Sequence, residues 1–197
     1  EYELHNQYGH TVKRLSKIET QAEINSPLFE GSFWNKIRSG TVHPAKLAIG
    51  LKKACVKIGV RIYENTPLTS SNYNKCKVSV STPNGVIKAN KVMLATNAFA
   101  SGHKKIKHRV AAIRDRIIIT EPLTGEQMAC IGWQNRQGVY DTRTQLNYMR
   151  LTKDNRILFG GRLGYYFGNN TDPQGDKETK PYIRLAEAFL KTFPSLQ

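Results

Sequence analysis

The sequence predicts an α+β protein in two parts: an antiparallel sheet with flanking helices, and an incomplete α/β segment. Three observations carry this. Residues 39–68, SGTVHPAKLAIGLKKACVKIGVRIYENTPL, read as a turn, a capped helix, a glycine stop and a short apolar strand. Residues 91–97, KVMLATN, read as a second short apolar strand that ends in small polar residues. Residues 138–162 hold apolar stretches separated by turn residues, the pattern of an antiparallel ladder. The first two describe strands of a nucleotide-binding α/β sheet. No Gly-x-Gly-x-x-Gly loop precedes them, so the phosphate-binding half of such a sheet is missing from these 197 residues. The chain therefore reads as the interior of a larger enzyme.

From the N-terminal end, Val12, Leu15, Ile18 and Ala22 recur at helical spacing and predict an amphipathic helix over 11–23. Residues 25–40 read as a loop punctuated by Pro27, Gly31 and Gly40, with Phe29, Phe33 and Trp34 as packing anchors. The helix over 44–58 is the clearest element. Pro44 suits the first helical position, Leu47, Leu51, Ala54, Cys55 and Ile58 make one apolar stripe, and Gly59 stops it. A strand over Val60–Tyr63 follows at once, the winding of a parallel α/β sheet. Lys77–Ser81 alternates with period two, Asn84-Gly85 is a hairpin signal, and Val86–Lys88 is the return strand. Val92–Leu94 predicts a strand buried on both faces.

Further on, Arg116–Thr120 reads as a strand ended by Pro122. Strands follow at 139–140, 146–151 and 157–159, the last two joined by a turn at Lys153-Asp154-Asn155. Residues 165–180 read as a polar loop. Residues 181–193 close as a helix with Leu185, Ala186, Phe189, Leu190 and Phe193 on one face.

Composition sets broad limits. A hydrophobic content of 39% and a mean hydropathy of −0.50 suit a water-soluble globular chain. No apolar run approaches a membrane span, and nothing at Glu1 resembles a signal peptide. Cys55, Cys76 and Cys130 are too few and too widely spaced for a zinc site and read as reduced, mostly buried thiols in a cytoplasmic protein. The net charge of +15 admits a polyanion partner, with basic residues concentrated in HKKIKHRVAAIRDR at 103–116. A solvated basic surface is the plainer reading, and the basic residues do not interleave with aromatics as they do in nucleic-acid-binding sheets. No Ser-His-Asp, HExxH or paired-carboxylate motif is present, so no catalytic acid–base residue and no metal ligand is assigned.

SGTVHPAKLAIGL (39–51), GVRIYENTPL (59–68), NGVIKANKVMLATNAF (84–99), TEPL (120–123), LNYMRLTKDNRILFGGR (146–162) and FPSL (193–196) occur in an order and spacing that resemble the D-amino-acid-oxidase-like superfamily of FAD-dependent oxidoreductases, in particular the gamma-glutamylputrescine oxidase and D-amino-acid dehydrogenase types. The resemblance spans nearly the whole chain. It implies a substrate domain from residues 1–40 and 101–197, and a partial FAD-binding domain over 41–100. It also implies a parent enzyme that oxidises the CH–NH bond of an amine or amino acid to an imine, passing electrons to oxygen or a respiratory acceptor. Family members carry an N-terminal dinucleotide-binding loop and a C-terminal segment that returns to the flavin. Neither is here, which implies that the chain alone is inactive. Its expected place is the cytoplasm or the inner membrane surface.

The resemblance also suggests site residues. Leu68, at the end of a strand, would offer backbone groups to the adenine of FAD. Ala95, Thr96 and Asn97, small residues after the next strand, would lie beside the flavin. The plainer readings are a strand ending at Pro67 and an ordinary exit into a loop. His43 is either near the flavin ring or a helix-entry residue bonded to local backbone. Tyr148 and Arg150 share one face of a strand with Leu146, and the tyrosine would hold the substrate carboxylate or amine region. The arginine could clamp a carboxylate through two parallel hydrogen bonds. The alternative is an exposed cross-strand pair. Gly160 and Gly161, ahead of Arg162, suggest close backbone packing or a bulge. Two other functional readings remain: a basic nucleic-acid-binding module, and a degenerate non-catalytic relative.

Overall fold

The computed structural model describes residues 2–37, 39–74, 77–104, 106–166 and 177–197. Among the described residues, three antiparallel sheets organise the chain. Strands β1 (Lys13–Leu15) and β2 (Ser32–Trp34) form a short ribbon around helix α2 (Lys17–Glu23), preceded by α1 (Tyr2–Gln7). Helix α3 (Pro44–Lys57) leads to a three-stranded sheet of β3 (Ser70–Asn74), β4 (Lys77–Thr82) and β5 (Gly85–Ala89). The largest sheet has the order β6-β9-β8-β7, built from β6 (Ala112–Ile119), β7 (Val139–Tyr140), β8 (Tyr148–Leu151) and β9 (Ile157–Tyr166). Helix α4 (Gly125–Ile131) lies between β6 and β7 in sequence, and α5 (Thr179–Thr192) follows β9.

The core sits under one face of the large sheet. Met149 and Leu151 of β8 and Ile157 and Phe159 of β9 alternate onto that face because side chains along a strand point to opposite sides. They meet Leu185, Ala188 and Phe189 of α5, with Phe193 just beyond it. Phe159 and Phe189 pack edge to face at 5.6 Å, and Phe193 stacks on Trp133 at 6.0 Å. The Trp133 indole N–H donates to the Gln137 carbonyl at 2.8 Å, so the fully buried ring keeps its one polar group satisfied. On α5 the buried stripe takes Ala188, while Leu190, expected on it, is exposed.

Several expectations are met. Pro44 opens α3 at its first turn, and the helix gives way to Gly59, whose φ is +90°. Strands form near 116–120, 139–140, 146–151 and 157–159, although β6 and β9 run longer than their apolar cores. The hairpin of β4 and β5 is also present, with Thr82 opposite Gly85. Its turn is therefore Pro83-Asn84, one residue earlier than the Asn-Gly signal, because the fixed φ of proline suits the first corner of an ordinary turn.

Other expectations are corrected. The helix over 11–23 divides into β1 and α2, because Ser16 caps α2 in a reciprocal box with Glu19. Val12 and Leu15 are buried from the strand, whereas Ile18 is exposed. The loop over 25–40 contains β2. Neither Val60–Tyr63 nor Val92–Leu94 is a strand. Both have strand composition, but a parallel strand exists only when hydrogen-bonded to neighbours, and among the described residues neither segment has any. Among the described residues, the buried hydrophobic ones come from 12–24 and 112–193, and none from 41–100. The α3 stripe is amphipathic as read, yet Leu47, Leu51 and Ile58 are exposed. Cys55 is half-buried and Cys130 exposed, so the expectation of mostly buried thiols fails. Cys76 and most of the polar loop over 165–180 lie outside the described residues.

Candidate functional site

The second face of the large sheet is open. Tyr148 stands opposite Gly160, which stands opposite Ile117. Arg150 stands opposite Leu158, and Leu158 opposite Ile119. Directly opposed residues of antiparallel strands project from the same side. One surface therefore presents Ile113, Asp115, Ile117 and Ile119 from β6, Leu158 from β9, and Tyr148 and Arg150 from β8. Each β6 isoleucine in this row is about half exposed, at 47–53%. An exposed apolar surface rimmed by polar residues marks a ligand-binding groove or an interaction surface.

The two glycines of β9 shape its centre. A Cβ added to Gly160 would lie 2.5 Å from the Tyr148 hydroxyl and closer still to two ring carbons. The phenol ring therefore lies across β9 in space that only glycine leaves. Asp115 on β6 lies near enough to influence the hydroxyl. Partial burial raises the pKa of the phenol, and the nearby Asp115 charge and its hydrogen bond raise it further. The pairing of β6 and β9 shifts by one residue between Arg114 and Arg116, beside Asp115. Gly161, with φ +150°, adjoins this bulge, and a Cβ there would meet the Asn147 Oδ1 at 2.7 Å and the Leu146 carbonyl at 2.9 Å. Asn147 is itself tied to Asp141 by two hydrogen bonds, from its backbone N–H at 3.0 Å and its side-chain amide at 2.9 Å. The residues leading into β8 are thus fixed from both sides.

Tyr148 and Arg150 share this face as the sequence suggests. The other candidates lie elsewhere. His43 caps α3, its Nδ1 accepting from the Lys46 N–H at 3.3 Å, which accounts for its side chain locally. Leu68 is exposed just before β3. Ala95, Thr96 and Asn97 are exposed at the start of a short 3-10 helix, Asn97–Gly102, that packs against β6. Sequence reasoning did not single out Asp115, although a lone acid in the alternation Ile113, Asp115, Ile117, Ile119 was a readable signal. Among the described residues no group of three or more His, Cys, Asp or Glu is placed to hold a metal ion, and no helix is long and apolar enough to cross a membrane.

The fold has clear relatives. The family model for FAD dependent oxidoreductases matches residues 1–197, and the chain belongs to that family. It is 30% identical to the probable oxidoreductase OrdL of Haemophilus influenzae over its full length, covering 44% of that protein. It is 31% identical to the gamma-glutamylputrescine oxidoreductase of Escherichia coli, with 96% of this chain covering 43% of that one. Among solved structures, glycine oxidase from Geobacillus kaustophilus superposes with a TM-score of 0.74 at 16% identity, over 98% of this chain and 49% of that one. NikD, an amino acid oxidase of nikkomycin biosynthesis, gives 0.66 at 13%, over 98% and 51%. The chain thus spans less than half the length of these curated relatives. The architecture is that of the FAD-dependent amino acid oxidases, with mixed helices and antiparallel sheets.

The family's cofactor is FAD. Leu68 and Ala95–Asn97 are exposed, with their backbone open to solvent. The diphosphate has no matching glycine-rich loop within these residues.

Proposed function

We propose that residues 1–40 and 101–197 form the substrate-facing part, and residues 41–100 part of the flavin-binding surface, of an FAD-dependent oxidoreductase. Its reaction oxidises the CH–NH bond of an amine or amino acid to an imine, which water then converts to a carbonyl compound. The observation that carries this is the open face of the β6-β9-β8-β7 sheet, where Tyr148 and Arg150 project from an apolar surface. The 31% identity to a gamma-glutamylputrescine oxidoreductase supports an amine substrate.

When bound, the flavin supplies the hydride acceptor, and oxygen or a respiratory acceptor then takes the electrons. The chain's own residues do the binding. Arg150 is half-buried and is able to hold a carboxylate through a bidentate pair, while the β6 isoleucines keep water from the reacting carbon. Leu68, Ala95, Thr96 and Asn97 would hold the cofactor edge by backbone contact. The 197 residues alone carry no diphosphate loop and are expected to turn over no substrate.

The test is the visible spectrum of the protein purified from its native source, followed by anaerobic addition of amines and amino acids. A yellow protein whose flavin bands bleach with one of these classes supports the reading. A colourless protein that takes up no added FAD overturns it. Stable FAD binding with amine oxidation by the 197 residues alone would overturn the expected inactivity.

A further inference from the structure

The positive charge of the chain is not spread evenly. Residues 31–114 hold 16 of the 30 Lys and Arg but only one of the 15 Asp and Glu, Glu64. The remaining residues hold 14 of each, so the entire net charge of +15 belongs to 31–114. The structure leaves that charge uncompensated. Lys52 takes up Glu64 at 2.6 Å, and every other ion pair among the described residues lies outside this stretch. Lys46, Lys53 and Lys57 on α3, Lys88 on β5, and Lys91 and Lys104 beyond it are exposed and form no ion pair among the described residues. Like charges repel and work against a compact chain, so an excess confined to one stretch fits a polyanionic partner. The diphosphate of one FAD answers only a small part of it.

The kind of polyanion follows from the residue types and their placement. Of the 16 basic residues 12 are Lys, whereas Arg outnumbers Lys by eight to six in the rest of the chain. Arginine reads phosphates at fixed spacing through its planar fork, while lysine acts as a point charge with little directional demand. These lysines come from a helix, an edge strand and connecting segments, not from one element shaped to enter a groove. In the three-stranded sheet Tyr73 stands opposite Val78, and Lys88 stands opposite the next residue, Ser79. The ring and the ammonium therefore project from opposite faces and do not combine into a base-stacking platform. A diffuse field of lysines suits a fluid surface of anionic headgroups, which rearrange to meet it. Adsorption of this kind needs no spanning helix, and none occurs among the described residues.

We infer that residues 31–114 hold the protein against an anionic phospholipid surface, by charge and not by insertion. The inference goes beyond the proposed oxidoreductase reaction and does not depend on it.

The test is co-sedimentation of the protein, expressed from its native gene, with vesicles of phosphatidylcholine alone or with about one third phosphatidylglycerol. The expected result is binding to the anionic vesicles only, with release as salt rises from about 0.1 M to about 0.5 M and screening shortens the reach of the charges. Lys53→Gln, Lys57→Gln, Lys91→Gln and Lys104→Gln combined should lower the partition coefficient by about tenfold or more. Lys153→Gln, Lys177→Gln, Lys180→Gln and Lys191→Gln combined remove the same charge from exposed positions outside the stretch, and should lower it by about threefold at most. Three results overturn the inference: no preference for anionic over neutral vesicles, an equal loss for the two sets of substitutions, or binding to single-stranded DNA that is as tight as to anionic vesicles and falls with the first set. Failure of the functional reading looks different: a protein that adsorbs to anionic vesicles as expected but takes up no flavin.

Discussion

The ring of Tyr148 lies over the backbone of Gly160, its direct partner in the sheet, and reaches the next strand but one. A side chain on β8 thus comes under the electrostatic influence of a carboxylate on β6 with a whole strand between them. Ordinary cross-strand pairs join neighbours only, and the longer reach needs an intervening residue without a Cβ.

Gly160→Ala should therefore displace the Tyr148 ring without unfolding the sheet. The new methyl group meets the tip of a side chain that can swing outward, not fixed backbone. We expect a stability cost of about 1 kcal/mol and a changed environment of the Tyr148 ring, read by NMR. A double-mutant cycle with Tyr148→Ala checks the mechanism: the Gly160→Ala cost should vanish once the ring is gone. An equal cost in both backgrounds would show that the ring is not what the glycine accommodates.

Gly161→Ala should behave differently. Its φ of +150° is poorly populated by residues with a side chain, and the added methyl would face the Leu146 carbonyl at 2.9 Å, which cannot rotate away. A destabilisation of about 1–3 kcal/mol is expected, read as a lower denaturant midpoint at an unchanged slope. A midpoint within experimental scatter of the parent would contradict it.

Much of this was legible in the sequence, in a definite pattern. The large sheet was read because its strands pair with one another inside the chain, so local alternation and tertiary context agree. Residues 60–63 and 92–94 were read as strands on composition alone, and they are not strands because pairing is a property of neighbours that sequence does not contain. The division of 11–23 at Ser16 was missed for the opposite reason. Its capping box is written plainly as Ser16 and Glu19, but the apolar spacing outweighed it. On the open face, Tyr148 and Arg150 were read as sharing one side of a strand, and the glycines as marks of close packing or a bulge. Asp115 was missed because its partner is more than thirty residues away and two strands over.

The Ser16–Glu19 box also predicts an acid response. Hydrogen bonds from the Ser16 N–H and then from its hydroxyl hold the Glu19 carboxyl below its ordinary 4.5, with Lys13 adding a smaller attraction. A carboxyl depressed in the folded state stabilises it above the unfolded pKa, and that contribution is lost as pH falls through the folded value. Glu19→Gln keeps a capping box and removes the charge, so part of the stability loss below pH 4.5 should disappear. Unfolding curves at descending pH measure this, and identical acid limbs in parent and variant would refute it.

Tyr148 makes the complementary alkaline prediction. Its phenol is raised above 10 by partial burial first, then by the Asp115 charge and the hydrogen bond to it. The folded state thus prefers the neutral phenol. The resulting stability is complete below the unfolded tyrosine pKa and is lost as pH rises through the folded one. Asp115→Leu removes the charge and the hydrogen-bonding oxygen and leaves the burial. The Tyr148 pKa should fall toward its ordinary value without reaching it, and the alkaline loss of stability should shrink. With nine tyrosines in the chain, the Tyr148 phenolate absorbance is isolated by subtracting the titration of Tyr148→Phe. If Asp115→Leu leaves that difference titration where it was, the carboxylate does not hold the phenol proton, and Tyr148 is free to donate toward a substrate.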